Sequence, residues 1–228
     1  MTDRSPLRFV VTAGPTREYL DPVRFLSNPS TGRMGFAVAR AARAAGHEVT
    51  LIAGPVALKT PKGVTRVDVV SARDMLAAVK AAIVPRKGHG QDRTCLVMTA
   101  AVADWRPAEC AERKRKKGEM ADTLKLVRNP DILKTVNEIP AVRRPAVRIG
   151  FAAETGEPTS EAARKCREKG LDCVVANDVT APGAGFGVKT NQVTLVFPDG
   201  TIEALPLMSK DAVARRLVRL AANLAERK

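Results

Sequence analysis

Apolar positions along this chain fall into two alternating periods. Arg8–Ala13, Glu48–Ala53 and Thr94–Ala100 are near-continuous apolar runs, the pattern of parallel strands covered on both faces. Between them lie helix-period stretches. Residues 33–45 place Met34, Phe36, Ala37, Val38, Ala41 and Ala42 at helical spacing before Gly46, and Ala72–Val84 does the same with Met75, Leu76, Val79 and Ile83. Val64–Val70 reads as a short strand, and a basic, glycine-containing loop follows at 85–93. The alternation breaks at 105–122, which is polar and highly charged, and Thr123–Arg128 reads as a strand outside the main series. It resumes with a helix over 130–139, a strand at Ala146–Phe151, a helix over about 158–169 and a strand at Asp172–Ala176. Gln192–Phe197 and Thr201–Leu205 flank Pro198-Asp199-Gly200, a hairpin signal, and Ser209 caps a last helix running to near Lys228. The order predicts an α/β, Rossmann-like, doubly wound and mostly parallel sheet. An inserted basic flap at about 105–128 and a C-terminal hairpin complete a single domain over 1–228.

Composition narrows the functional classes. The chain has 228 residues, 45% of them apolar, enough for a substantial core. Aromatics are only 4%, with Trp105 and Tyr19 each unique, so base-stacking platforms have little to be built from. No apolar run is long enough to span a bilayer and residues 1–7 lack a signal peptide's apolar segment. A cytoplasmic protein with no membrane association is the expectation. Cys95, Cys110, Cys166 and Cys173 form no C-x-x-C pair, and only His47 and His89 could complete a metal site, so they read as ordinary thiols. The formal net charge of +14 has three readings: nucleic-acid binding, a site for anionic small molecules, or a solvated basic surface. Without a reading motif the first is weak, and no nucleic-acid partner is expected.

Candidate chemistry concentrates in four segments at strand ends. The first runs from Gly14 into the helix at 33. Asn28, Ser30 and Thr31 can donate to an anion, Gly32 and Gly35 let the backbone come close, and the helix start presents free N–H groups. This reads as a phosphate cradle, with a plain N-cap at Ser30 or Thr31 as the bland alternative. The second is Ala100–Pro107, where small alanines precede Asp104. That carboxylate could hold a hydroxyl, an amine or a metal, cap a short helix, or pair with Arg106. The third is Gly150–Thr155 and the fourth Ala176–Asp178. In a doubly wound sheet all four would converge on one crevice. Lys114, Lys116 and Lys117 in the flap supply counter-charge, either as a closing basic loop or as a solvated one. Lys165 and Lys169 share a helix face and could reach phosphates or solvent.

These segments, in this order, resemble the phosphopantothenate–cysteine ligase family of coenzyme A biosynthesis, which in many bacteria is the C-terminal half of a bifunctional flavoprotein decarboxylase/ligase. The matching stretches are Val11–Glu18, Asp21–Asn28, Ser30–Phe36, Ala100–Asp104, Lys114–Lys117, Leu126–Ile132, Gly150–Thr155 and Ala176–Asp178. The resemblance implies joining of 4′-phosphopantothenate to cysteine through an acyl-nucleotidylate. The nucleoside triphosphate would be CTP, with ATP the alternative, accompanied by Mg2+ with unassigned ligands. It also implies a homodimer in which a flap crosses toward the partner. By position, Gly14, Asn28, Ser30, Gly32, Gly35, Phe36 and Asn177 would meet substrate. Ala100, Ala101, Asp104, Lys114, Asp131, Ile132, Phe151, Lys165 and Lys169 would meet the nucleotide, with Ala100, Ala101 and Asp104 also near the pantoyl part. Arg24, Asn28 and Lys114 would be catalytic.

Two departures stand out. Arg115 occupies a flap position that the family fills with a hydrophobic residue, which leaves the register of Lys114 against Lys116 open. The chain also starts at its first strand, so the flavin-dependent decarboxylase step would fall to a separate protein, or the chain is an excised domain. A nicotinamide-dinucleotide oxidoreductase would want G-x-G-x-x-G directly after the first strand and an acid ending the second. Gly14-Pro15-Thr16 and Ala53-Gly54 supply neither.

Overall fold

The computed structural model describes residues 6–85, 93–114, 116, 123–154, 159–181 and 183–228. Arg115, Lys117 and much of the 85–93 loop and of the flap lie outside the described residues. In chain order the first half contains β1 (Arg8–Ala13), β2 (Arg17–Tyr19), β3 (Phe25–Ser27), α1 (Arg33–Ala44), β4 (Glu48–Ala53), β5 (Thr65–Asp68), α2 (Ala72–Ala82) and β6 (Thr94–Met98). Then come β7 (Trp105–Pro107), β8 (Leu126–Arg128), α3 (Ile132–Asn137), β9 (Val147–Glu154), α4 (Thr159–Glu168) and β10 (Cys173–Asp178). The chain closes with β11 (Thr190–Asn191), β12 (Thr194–Val196), β13 (Ile202–Ala204), β14 (Met208–Ser209) and α5 (Lys210–Glu226).

Eight strands form the central sheet in the order β13-β12-β10-β9-β6-β1-β4-β5. The six from β10 to β5 are parallel, while the β12–β13 hairpin adds two antiparallel strands at one edge. The chain winds outward from β1 to β5 and then returns to pair β6 with β1. The strand order therefore reverses between β1 and β6, where such sheets open a crevice at their carboxyl ends. Alternation along each strand divides the core. Phe9, Val11, Leu51 and Val97 face α1 and α5, whereas Val10, Ile52 and Leu96 face α2 and α3. A third cluster, with Ala162, Cys166, Val174 and Val196, seats α4. The predicted doubly wound α/β class is the observed one.

Departures from the predicted boundaries have local causes. The sixth strand stops at Met98, not Ala100. There the Thr99 hydroxyl donates to Thr12 O at 2.6 Å and Ala100 N–H donates to Thr12 Oγ1 at 3.2 Å, replacing the ladder with side-chain bonds. Strands β9 and β10 run longer than predicted because Asn177 and Asp178 pair with Ala153 and Glu154. The predicted strand at 123–128 shortens to β8, which pairs with β7 rather than with the main sheet. The loop after β1 contains the unforeseen β2–β3 hairpin, whose turn is built on Asp21: its Oδ1 accepts from the N–H groups of Val23 and Arg24, each at 2.9 Å. The four cysteines are free. Burial pushes the Cys166 thiol up to about 11 and those of Cys95 and Cys173 to about 12, so these three are poor nucleophiles.

Candidate functional site

The crevice at the β1–β6 switch point has a volume of about 790 Å³, a size typical of cofactor and substrate sites. Its first wall is the start of α1. The N-cap is Gly32 in the left-handed region (φ 76°), and no side chain caps the helix; the bland N-cap at Ser30 or Thr31 is not formed. Ser30 Oγ accepts instead from Gly32 N–H at 3.4 Å, and the first N–H returned to the helix ladder is that of Phe36, which donates to Gly32 O. The N–H groups of Arg33, Met34 and Gly35 thus head the helix with no carbonyl four residues back. Gly35 is obligatory for packing: a Cβ there would lie 2.5 Å from both Ala13 Cβ and Thr99 Oγ1. Gly32 lies against Gly14 (φ 80°), where a Cβ would meet Val56 Cγ1 at 2.9 Å. Gly14 thereby shapes the cradle without lining it.

The second wall follows β6. Ala101 N–H donates to Gly14 O at 2.9 Å, and Thr16 N–H donates back to Ala101 O at 3.2 Å, so the two loops form a short bridge. Asn28 Nδ2 donates to the same Ala101 carbonyl at 3.1 Å, fixing this amide at the seam between the walls. Ala103 N–H donates to Thr16 Oγ1, and Asn129 Nδ2 donates to Ala103 O at 2.8 Å. Asp104 resolves against both bland alternatives. It caps no helix, and Arg106 turns to the Arg128 carbonyl and to Asn129 Oδ1. The Asp104 carboxylate lines the crevice and has no partner among the described residues.

The opposite end is cationic. Lys165 and Lys169 both line the crevice, with Phe151, Ile132 and Asp131. Asp131 is the N-cap of α3, accepting from Lys134 N–H at 3.0 Å, and its other oxygen lies 2.8 Å from Lys169 Nζ. Burial would raise this carboxyl, but the Lys169 ammonium and the Lys134 and Leu133 N–H groups outweigh it and hold the carboxyl below its ordinary range. Asn177, on β10, is buried and lines the crevice.

Besides Gly14, three expected residues stand elsewhere. Phe36 is 3% exposed and packs in the α1–α5 core, because the helix phase that puts Gly35 on the sheet turns Phe36 away from the crevice. Phe36, expected to meet substrate, is therefore outside the crevice lining. Arg24 lies at the β2–β3 turn, outside the lining, with Nη2 at 2.6 Å from Asp21 Oδ2. Lys114 is exposed and not among the lining residues. Conversely, sequence reasoning missed Arg33, Asn129, Phe186, Asn191 and Lys210, all of which line the crevice. Lys210 left a signal: a lysine in the first turn of a helix opposes the helix dipole. It donates to Gly185 O and Val188 O, each at 2.9 Å. Burial, then the nearby Arg33 charge, lowers its pKa from the ordinary value.

The site is one open crevice that brings together a helix start, the Asp104 carboxylate, the α4 residues Lys165 and Lys169, and Lys210 at the start of α5. Among the described residues no group of three or more His, Cys, Asp or Glu could hold a metal ion, and no helix is long and apolar enough to cross a membrane.

Comparison with known proteins agrees with this geometry. The chain is 44% identical over 218 residues to the coenzyme A biosynthesis bifunctional protein CoaBC of Bacillus subtilis, covering 95% of this chain and 51% of that protein. It is 44% identical over 212 residues to the CoaBC protein of Vibrio vulnificus strain YJ016, covering 92% of this chain and 50% of that one. The chain therefore spans about half the length of these curated relatives. Among solved structures, the C-terminal domain of a CoaBC protein superposes with a TM-score of 0.79 at 39% identity, covering 97% of both chains. A Cab2 variant in complex with phosphopantothenate-cysteine shares the fold, with a TM-score of 0.74 at 17% identity, covering 98% of this chain and 88% of that one. Residues 5–224 match the family described as the DNA/pantothenate metabolism flavoprotein C-terminal domain, and the chain belongs to that family.

Proposed function

We propose that this chain is a phosphopantothenate–cysteine ligase acting in coenzyme A biosynthesis. The observation that carries the reading is the convergence, in one crevice, of the Asn28–Gly35 cradle, the Ala100–Asp104 wall and the Lys165–Lys169 face, within a chain 44% identical to CoaBC proteins. The reaction runs in two steps. The carboxylate of 4′-phosphopantothenate attacks the α-phosphate of a nucleoside triphosphate, and pyrophosphate leaves. The cysteine amine then attacks the acyl carbon and expels the nucleoside monophosphate.

The cradle and the lysines serve this chemistry by neutralising phosphate charge in a confined site. Asn28, held on Ala101 O, orients the acyl group at the seam between the two walls. Lys114 is the lysine that would meet the triphosphate, since charge neutralisation favours nucleotidyl transfer. Mg2+ carried on triphosphate oxygens needs only one or two protein carboxylates, and Asp104 is a carboxylate of the right kind. The bound metal would draw electron density from the α-phosphate. The nucleotide is CTP in this reading, and the working unit is a homodimer. The decarboxylase that acts next on the product is either fused, as in the bifunctional relatives, or separate.

Incubating the purified chain with 4′-phosphopantothenate, cysteine and each nucleoside triphosphate in turn, with Mg2+, tests this directly. Formation of phosphopantothenoylcysteine and pyrophosphate in equal amounts supports the assignment. A folded protein that forms neither product with any of the triphosphates refutes it.

A further inference from the structure

One corner of the crevice has no task in the two steps above. Asn191, Lys210 and Arg33 lie on its α1–α5 side. Asn191 is 3% exposed, and its side chain makes no hydrogen bond to any described residue; its Oδ1 is also sealed from solvent. A buried amide without partners is rare in folded proteins and asks for an explanation. Lys210 is 8% exposed and carries three N–H donors, of which Gly185 O and Val188 O take two. No carboxylate among the described residues pairs with it. It also sits in the first turn of α5, where the helix dipole repels a cation, and Arg33 adds charge of the same sign. The like charges of Lys210 and Arg33 and the unused N–H donors of the Asn191 amide and of Lys210 are all answered by one event, the arrival of an anion.

The anion's chemistry follows from what faces the corner. Arg33 is the first residue of α1, so the corner continues the helix start that the cradle offers to a phosphate. With Oδ1 as the sealed end of the Asn191 amide, the other end, Nδ2, carries the two N–H donors that a phosphate oxygen can accept from. We infer that Asn191 and Lys210, with Arg33, form the far wall of the cradle and bind a phosphate group held at the start of α1. The inference rests on reading the crevice as a phosphate site. The group is either the phosphomonoester of a phosphorylated acid or the terminal phosphates of a nucleoside triphosphate.

Calorimetric titration of the whole chain with inorganic pyrophosphate, CTP and 4′-phosphopantothenate separates these sources. Lys210→Met removes the charge, and Asn191→Asp keeps the shape while adding a charge that repels phosphate. A hydrogen bond to a charged group is worth roughly tenfold to hundredfold in affinity, so each folded variant is expected to lose that much for at least one probe. Loss for pyrophosphate and CTP assigns the wall to the triphosphate; loss for 4′-phosphopantothenate alone assigns it to the phosphomonoester. Because Lys210 also holds the Gly185–Val188 turn, Asn191→Asp decides if Lys210→Met fails to fold. The inference is overturned if wild type binds none of the three probes, or if folded Asn191→Asp binds all of them as wild type does. Turnover is not the readout, so a chain that binds phosphate at this wall yet makes no product would count against the ligase reading alone.

Discussion

At the scale of single residues, the site depends on atoms that are missing as much as on those present. Gly35 lies where α1 crosses β1 and the end of β6, and a Cβ there would come within 2.5 Å of Ala13 Cβ and Thr99 Oγ1 and 2.8 Å of Thr12 O. Two of the three are backbone or near-backbone atoms, so relief requires moving the helix. Gly35→Ala is expected to destabilise the fold by about 1–3 kcal/mol and to weaken phosphate binding. Denaturant unfolding at wild-type midpoint would show the packing argument to be wrong. His47 makes a different residue-scale claim. Its ring stacks on Phe9 and its Nδ1 accepts from Leu7 N–H at 3.3 Å, an acceptor role open only to the neutral ring. Burial lowers its pKa below the ordinary 6.5. A depressed folded pKa means the stabilisation is complete above about 6.5 and is lost as pH falls through the folded value. Unfolding midpoints measured from about pH 8 down to about pH 5 should therefore fall, and His47→Gln should flatten that slope. An unchanged slope in the variant would assign the acid sensitivity elsewhere.

At the scale of elements, the loops matter more than the strands that carry them. Asn28 leaves the β2–β3 hairpin and donates across to Ala101 O, so a single amide links the loop before α1 to the loop after β6. If it orients the activated acyl group, Asn28→Ala should slow attack by cysteine more than formation of the acyl-nucleotidylate, because orientation governs the step that joins two reactants. Labelled intermediate should then accumulate in rapid-quench samples; equal loss in both half-reactions from a folded variant contradicts the role. The main strands and helices were legible in the sequence because each satisfies a local rule. Continuous apolar runs such as Phe9–Val11 are buried on both faces, and Met75 and Val79 repeat at helical spacing. The strand ends were less legible. The Thr99 hydroxyl donates to Thr12 O and the Thr12 hydroxyl accepts from Ala100 N–H in place of ladder bonds, a choice that depends on a neighbour 87 residues away. The β2–β3 hairpin and the pairing of β8 with β7 were not legible for a related reason: this region is anchored by partners distant in sequence, as where Ala111 N–H donates to Leu20 O.

The whole molecule decides how the walls meet, and that is where the candidate site was only partly readable. Segments around Asn28, Ala100, Asp104, Phe151, Lys165 and Asn177 converge as a doubly wound sheet requires. Asn191 and Lys210 arrive from the C-terminal region only because β11 pairs with β14 and carries them to the mouth of β10, which no local pattern announces. The place proposed for the nucleotide follows from the same packing. Ile132, Phe151 and the Asp131–Lys169 pair leave an apolar floor beside a fixed ion pair. If the base sits there, a pyrimidine needs less room than a purine, and buried polar groups left unpaired by the wrong base discriminate strongly. The kcat/KM for CTP should exceed that for ATP by more than about tenfold. Comparable values would remove the CTP preference and leave the ligase reading standing.

Among the described residues, several exposed apolar side chains lie on the hairpins that lead to the crevice. Val23, Phe25, Trp105, Leu124 and Leu126 are all exposed, and they belong to the β2–β3 and β7–β8 hairpins or their flanks, which pack together through β2 and β7. Scattered exposed apolar side chains are ordinary, whereas several on two hairpins packed together are what a partner surface would need. Phe25 meets Tyr19 in a tilted arrangement, with ring centroids 5.3 Å apart, and lies under the Arg17 guanidinium, and Trp105 lies under Arg128 at 5.1 Å, so the aromatic rings are held in place. The same β7–β8 ribbon is the root of the flap, so a second copy seated on it would hold both flaps beside the crevices. Sedimentation of the intact chain should accordingly give about twice the monomer mass of 24.4 kDa. Trp105→Glu combined with Leu126→Glu should return it to the monomer, because two carboxylates buried without partners cannot be accommodated in an apolar contact. Ligase turnover should fall with the dimer and recover with neither nucleotide nor cysteine excess. A wild-type chain that sediments as a monomer at micromolar concentration and still turns over would show that the patch has another occupant and that each crevice works alone.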